Sequence, residues 1–158
     1  MAVSIACSEF SPYRELEDYQ RNSAVLCGHC GATACFVGTM RDFNEGDRVS
    51  GMFLEHYPGM TERCLEVICA TAHRRWKLLD SLIIHRVGEI ALNEAIVLVA
   101  VWSSHRGDSL DACRYIIEEL KQRAPFWKQE FLGQPGCSRW VSHNSDGYAS
   151  QSPDQSAP

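Results

Sequence analysis

Lysine is the scarcest charged residue in this 158-residue chain: three, at 77, 121 and 128, against twelve arginines. Positive charge in excess is also missing. Fifteen basic residues against twenty acidic ones leave a net charge of −5, which argues against wholesale nucleic-acid binding while leaving room for a local cationic pocket. No apolar run approaches the ~18 residues of a bilayer-spanning helix. The opening stretch MAVSIACSEFSPYRELEDYQ has neither a basic leader nor a long apolar segment, so a secretory signal is not expected and the cytoplasm is. No P-loop or Rossmann glycine pattern, no GxSxG nucleophile elbow and no internal repeat occurs. A second CxxC is absent too. Cys27-Gly28-His29-Cys30 stands alone, and Cys64 and Cys69, five apart, would point about 140° apart on a helix. A small zinc protein organised by Cys27, His29 and Cys30 is therefore a secondary reading, and the eight cysteines, at 7, 27, 30, 35, 64, 69, 113 and 137, read mostly as reduced thiols that pack as small apolar groups.

What is present reads as one α+β domain. Residues 1–23 form a polar lead-in with a strand near Ile5. Ala32–Gly38 is a short apolar strand, Met40–Asp47 a polar loop, and Val49–Tyr57 a second strand ended by Pro58-Gly59. Thr61 is a candidate helix cap, followed by a stripe of Met60, Cys64, Leu65, Ile68, Cys69, Ala72 and Trp76. Ser81–Val87 reads as a strand and Gly88–Glu94 as a connection. Ala95–Trp102 is apolar on both faces and should be a central strand covered on both sides. Asp108 or Ser109 can cap a second helix, with Leu110, Cys113, Ile116, Ile117 and Leu120 inward and Pro125 as its stop. Phe126, Trp127, Phe131 and Trp140 supply enough apolar surface for 126–141 to pack down. Residues 142–158 lack core formers and read as a disordered tail. The expected fold is α+β, with a mixed or antiparallel sheet and two main helices.

Chemistry is expected where cations meet strand ends. Ser103-Ser104-His105-Arg106 links the central strand to a helix start, where free N–H groups and the helix dipole favour an anion, most naturally phosphate. Arg41 follows its own strand in the same manner. Lys121 lies one residue after Leu120, at the edge of the apolar face, so its stem can lie on the core while its head enters a pocket. Lys128 follows Phe126-Trp127. The scarcity of lysine reads either as a base-composition bias or as a need for an ammonium at these two sites, which arginine cannot replace in proton or acyl chemistry. His56 and His85 are secondary candidates to touch substrate.

Five stretches, in this order and spacing, carry a resemblance: Phe36-Val37-Gly38-Thr39-Met40-Arg41-Asp42-Phe43-Asn44, Leu54-Glu55-His56-Tyr57-Pro58-Gly59-Met60, His85-Arg86-Val87-Gly88, Ser103-Ser104-His105-Arg106, and Leu120-Lys121-Gln122-Arg123-Ala124-Pro125-Phe126-Trp127-Lys128. Across residues 24–141 the chain resembles the large, catalytic subunit of molybdopterin synthase. The resemblance implies a hammerhead-like strand arrangement beside the main sheet. It also implies a homodimer with a small ubiquitin-like sulfur-carrier subunit at each end, giving a heterotetramer. The carrier's C-terminal thiocarboxylate would thread into a pocket and deliver two sulfurs to cyclic pyranopterin monophosphate (precursor Z), building the dithiolene of molybdopterin. The large subunit would need no metal or other cofactor of its own. Lys121 and Lys128 match the family's essential lysines, while Arg41, His105 and Arg106 are assigned to the substrate phosphate, with Arg106 or another basic group able to come from the second subunit. Phe131–Ser138 does not align with the family pattern, and whether Arg139 or His143 takes the basic place near the last tryptophan stays open. The competing reading is a scaffold that binds a ubiquitin-like partner without catalysis.

Overall fold

The computed structural model describes residues 1–44, 47–132 and 137–141. In chain order the elements are β1 (Ala2–Ala6), α1 (Pro12–Asn22), β2 (Ala32–Thr39), β3 (Phe43–Asn44), β4 (Asp47–His56), α2 (Met60–Arg75), β5 (Leu78–Arg86), β6 (Gly88–Ala91), β7 (Ala95–Ser103), α3 (Arg106–Arg123), β8 (Phe126–Leu132) and β9 (Ser138–Trp140). The expected tail and His143 lie outside the described residues.

The apolar run of β7 becomes the heart of a four-stranded sheet of order β1-β5-β7-β2. Only β1 with β5 is parallel, so the pairing is mixed. Strand alternation divides the β7 side chains between two cores. Val97, Val99 and Val101 pack with Leu65, Ile68 and Ala72 of α2 and Ile116, Ile117 and Leu120 of α3. Leu98, Ala100 and Trp102 face the other way, against Phe10, Leu16 and Tyr19. Trp102 is fully buried, and its truncation to alanine should cost about 3–5 kcal/mol.

The cover on that second face corrects the reading of the first twenty residues as a lead-in with a single strand. They form β1 and an eleven-residue helix, α1, so the described chain has three helices where two were expected. Polar composition hid α1 because none of its residues is fully buried. It is held by one narrow stripe. The Tyr19 ring stacks on Trp102 at 5.2 Å, the Tyr19 hydroxyl donates to Asp80 at 2.9 Å, and Trp102 Nε1 donates to Gln20 at 3.2 Å.

A second sheet runs β3-β4-β8-β9, with β6 also paired to β4. The stretch 88–94, expected as a plain connection, thus contains a strand. Gly88 at φ +83° makes the sharp turn into it, and Arg86 ties it down by donating to the Val87 and Glu89 carbonyls. In the same way Phe43–Asn44, inside the expected loop, pairs with β4.

Both main helices begin earlier than their side chains suggest. Gly59, at φ +80°, is the N-cap of α2, and its N–H donates to Glu62 at 2.7 Å. Thr61 is instead buried within the helix. Its hydroxyl accepts from the Tyr57 N–H at 3.2 Å and donates to the Pro125 carbonyl at 3.4 Å, tying the start of α2 to the turn after α3. For α3 the N-cap is His105, ahead of the expected Asp108 or Ser109, because Ser103 Oγ closes the turn onto the His105 carbonyl at 2.6 Å. Ser109 is buried with its hydroxyl on the Arg106 carbonyl. Two positions of the expected inward stripes, Met60 and Leu110, are exposed. In the opening turns of α3 the small residues Ser109 and Ala112 take the inward places.

Candidate active site

The two sheets and the end of α3 enclose a cavity of about 540 Å3. Its apolar floor includes Met52, Ile96, Val97, Ile117 and Leu120. The Phe36–Thr39 end of β2 forms one wall. There Gly38 admits no side chain, because a Cβ would stand 2.8 Å from Val97 and 3.3 Å from Phe36. Chain alternation builds the opposite wall. Phe126, Lys128 and Glu130 share one face of β8 and line the cavity. The other face of β8 carries Trp127, about half exposed.

Lys121, from the last turn of α3, and Lys128 both line the cavity, with Arg41 from the loop after β2 at its rim. Burial pushes the Lys128 amine below its usual range, the Lys121 charge pushes it further, and the Glu130 carboxylate opposes both. Glu130 is 4% exposed. It accepts from Asn44 Nδ2 at 2.6 Å and from Arg139 at 3.2 Å, and Arg139 reaches Asp47 at 3.0 Å. Arg41 donates to the Asn44 Oδ1 at 3.4 Å. A chain of contacts therefore runs from Arg41 through Asn44 and Glu130 to Arg139, joining the residues after β2 to the strand that carries Lys128. Met40 anchors the start of that loop, buried and bonded through its backbone to Glu94 and Asn93.

His85 closes the floor. Its ring is 4% exposed and stacks on Phe126 with centroids 3.8 Å apart. Nδ1 donates to the Arg86 carbonyl at 2.8 Å. Desolvation, aided by the nearby Lys128 and His56, lowers its pKa to about 4, so the imidazole is neutral near pH 7. Cations that can only donate thus line the cavity, beside a neutral acceptor and one compensating carboxylate.

The arrangement suits a small anionic ligand, and the sequence carries a family to match. The family profile described as MoaE protein matches residues 12–123. The chain belongs to this family, that of molybdopterin synthase catalytic subunits. A Vibrio cholerae protein named molybdopterin synthase catalytic subunit is 45% identical over 150 residues, 94% of this chain and 95% of that one. The structure of a molybdopterin biosynthesis MoaE protein from Burkholderia ambifaria shares 42% identity at a TM-score of 0.72, covering 92% of this chain and 93% of that one. A Helicobacter pylori structure, a protein–protein complex of subunits 1 and 2 of molybdopterin-converting factor, shares the fold at 18% identity and a TM-score of 0.73, over 89% of this chain and 90% of that one.

Within this MoaE chain, Arg41, Lys121 and Lys128 come together, whereas His105 and Arg106 do not join them. Both are exposed at the N-terminus of α3 and neither lines the cavity. Fifteen helical steps separate Arg106 from Lys121, about 22 Å along the axis. His56 is also absent from the lining; it ends β4 with Nε2 3.8 Å from Glu62. Glu130 was not singled out from the sequence. The alternation Phe126, Lys128, Glu130 would have found it, had 126–132 been read as a strand. Among the described residues no cluster of three or more His, Cys, Asp or Glu side chains could hold a metal ion, and Cys27 and Cys30 are free thiols. No helix among the described residues is long and apolar enough to cross a membrane.

Proposed function

We propose that this chain is the catalytic subunit of a cytoplasmic molybdopterin synthase, a sulfurtransferase that receives the C-terminal thiocarboxylate of a small ubiquitin-like carrier and transfers two sulfurs to cyclic pyranopterin monophosphate. The observation that carries this reading is the convergence of Arg41, Lys121 and Lys128 on one cavity of about 540 Å3 in a MoaE-family chain. The sulfur nucleophile arrives on the partner, so this chain supplies position, charge and proton transfer. Each transfer makes a carbon–sulfur bond to the pterin side chain while a carbon–oxygen bond at that carbon breaks, the cyclic phosphate opening to a monoester in the course of the two, and hydrolysis of the acyl–sulfur bond returns the carrier as a carboxylate.

Lys121 and Lys128 act at the thiocarboxylate and the reacting carbon. A clamp holds charge throughout, whereas a base or acyl acceptor must be neutral. The lowered pKa of Lys128 eases its loss of a proton. Arg41, held by Asn44, binds the phosphate. His105 and Arg106 serve the same anion in the cavity of a second copy, which makes the homodimer the working unit, with a carrier at each end. The distance along α3 and the exposure of both residues support this arrangement.

The test mixes purified chain, thiocarboxylated carrier and cyclic pyranopterin monophosphate and measures dithiolene product. Lys121→Arg then separates roles: retention of most activity assigns Lys121 to charge alone, and loss assigns it to proton or acyl chemistry. Absence of product from the wild-type chain leaves only a scaffold.

A further inference from the structure

We infer that His85 is a specificity-determining residue of the cavity: its Nε2 accepts a hydrogen bond from a ring N–H or amine of the bound heterocycle. This rests on reading the cavity as a pterin-phosphate site.

The geometry leaves this atom for a ligand. A carbonyl oxygen only accepts, so the 2.8 Å contact with the Arg86 carbonyl puts the imidazole proton on Nδ1 and a lone pair on Nε2. No described residue donates to Nε2, and His85 is among the residues lining the cavity although only 4% exposed. The stack on Phe126, with planes 14° apart, fixes the ring from one side, and the β5 backbone holds it between Ile5 of β1 and Val97 of β7.

The charged and amide side chains of the lining do not supply a free acceptor. Arg41, Lys121 and Lys128 only donate. The two oxygens of Glu130 already hold Asn44 and Arg139, and Asn44 Oδ1 holds Arg41. A phosphate would meet the donors. A pterin also presents N–H groups, and any of these buried against the apolar floor need an acceptor, since an unpaired buried donor is costly. The groups facing His85 are the Lys128 ammonium and His56, and both disfavour a proton on the ring, which keeps Nε2 an acceptor near pH 7.

Two measurements on the full chain test this. In long-range 1H–15N spectra, saturating neopterin, a pterin without phosphate, should move the His85 Nε2 resonance upfield, and inorganic phosphate should not. In the complete assay, His85→Phe keeps a ring on Phe126 but removes the acceptor. It should raise KM for cyclic pyranopterin monophosphate about 10-fold, the value of one hydrogen bond, with kcat changed less than about 2-fold. His85→Gln, whose amide oxygen can replace Nε2, should recover most of that loss. An Nε2 resonance unmoved by neopterin, a folded His85→Phe with wild-type KM, or a loss confined to kcat overturns the inference. Should His85→Phe fail to fold, the wild-type spectrum decides. Should no variant, nor the wild type, make dithiolene while neopterin still shifts Nε2, the synthase reading falls and this one stands.

Discussion

The two ends of α3 carry cations that a sequence treats alike and a structure does not. At its C-terminal end Lys121 borders a cavity with Lys128, an apolar floor and the buried Glu130 carboxylate. At its N-terminal end His105 and Arg106 stand in solvent. Charge in water is screened and cheap to hold. Charge in a desolvated pocket shifts pKa values and acts strongly on a ligand. Chemistry belongs in the pocket at the C-terminal end, and in the proposed dimer the exposed N-terminal end reaches across to another copy.

The largest expected effect breaks the first end. Lys121→Ala or Lys128→Ala should each lower kcat by about 100-fold or more, as loss of a preorganised charge does, measured as dithiolene product in the complete assay. If either variant keeps wild-type turnover, the cavity is not the reacting site. Next in size is a pH effect from His85. Its folded pKa of about 4 lies below the unfolded value of 6.5. Between those values the unfolded chain binds the proton and the folded one does not, so the stability this neutral histidine confers is full above pH 6.5 and falls as pH drops toward 4. Urea unfolding at pH 7 and pH 4.5 should show a loss on the order of 2 kcal/mol from this group, and His85→Phe should flatten that slope.

The second end is tested by Arg106→Ala, which should raise KM for cyclic pyranopterin monophosphate by about 10-fold through one lost charge-assisted contact. Mixing it with Lys121→Ala chains should restore activity, because about a quarter of the sites in randomly exchanged dimers are intact. No recovery on mixing would place both residues on one chain's own site or on none. The smallest effect sharpens the electrostatics within the cavity. Lys121→Met removes the like charge and should raise the Lys128 pKa part of the way back, burial being the larger cause, whereas Glu130→Gln should lower it further; NMR titration of 13C-methylated lysines reads both.

The sequence made β7 legible because a strand apolar on both faces has only one place to go, the centre of a covered sheet. Lys121 was legible at the border of the α3 stripe for a similar reason, since helical spacing alone puts it beside Leu120. What stayed hidden depended on distant partners. α1 is polar in composition and reads as a lead-in until Trp102 and Asp80 supply what Tyr19 and Gln20 hold. Glu130 looks like any surface carboxylate until β4 and β9 pair on either side of β8 and bring Asn44 and Arg139 to it. The cap of α2 was misplaced because Thr61, a good capping residue, is spent on joining two elements. The separation of His105 and Arg106 from Lys121 follows once α3 is measured end to end, but the cavity that gives the separation meaning takes form only when two sheets meet.

The short ribbon Phe126–Leu132 writes two surfaces in alternating letters: a ring, an ammonium and a carboxylate turned inward, and indole, amide and phenyl turned out. A deletion of one residue between Lys128 and the Leu120–Lys121 pair, or an insertion beside Phe126, would exchange the two sets wholesale. The enzyme's chemistry is therefore protected less by the identity of any single side chain here than by the parity of the count.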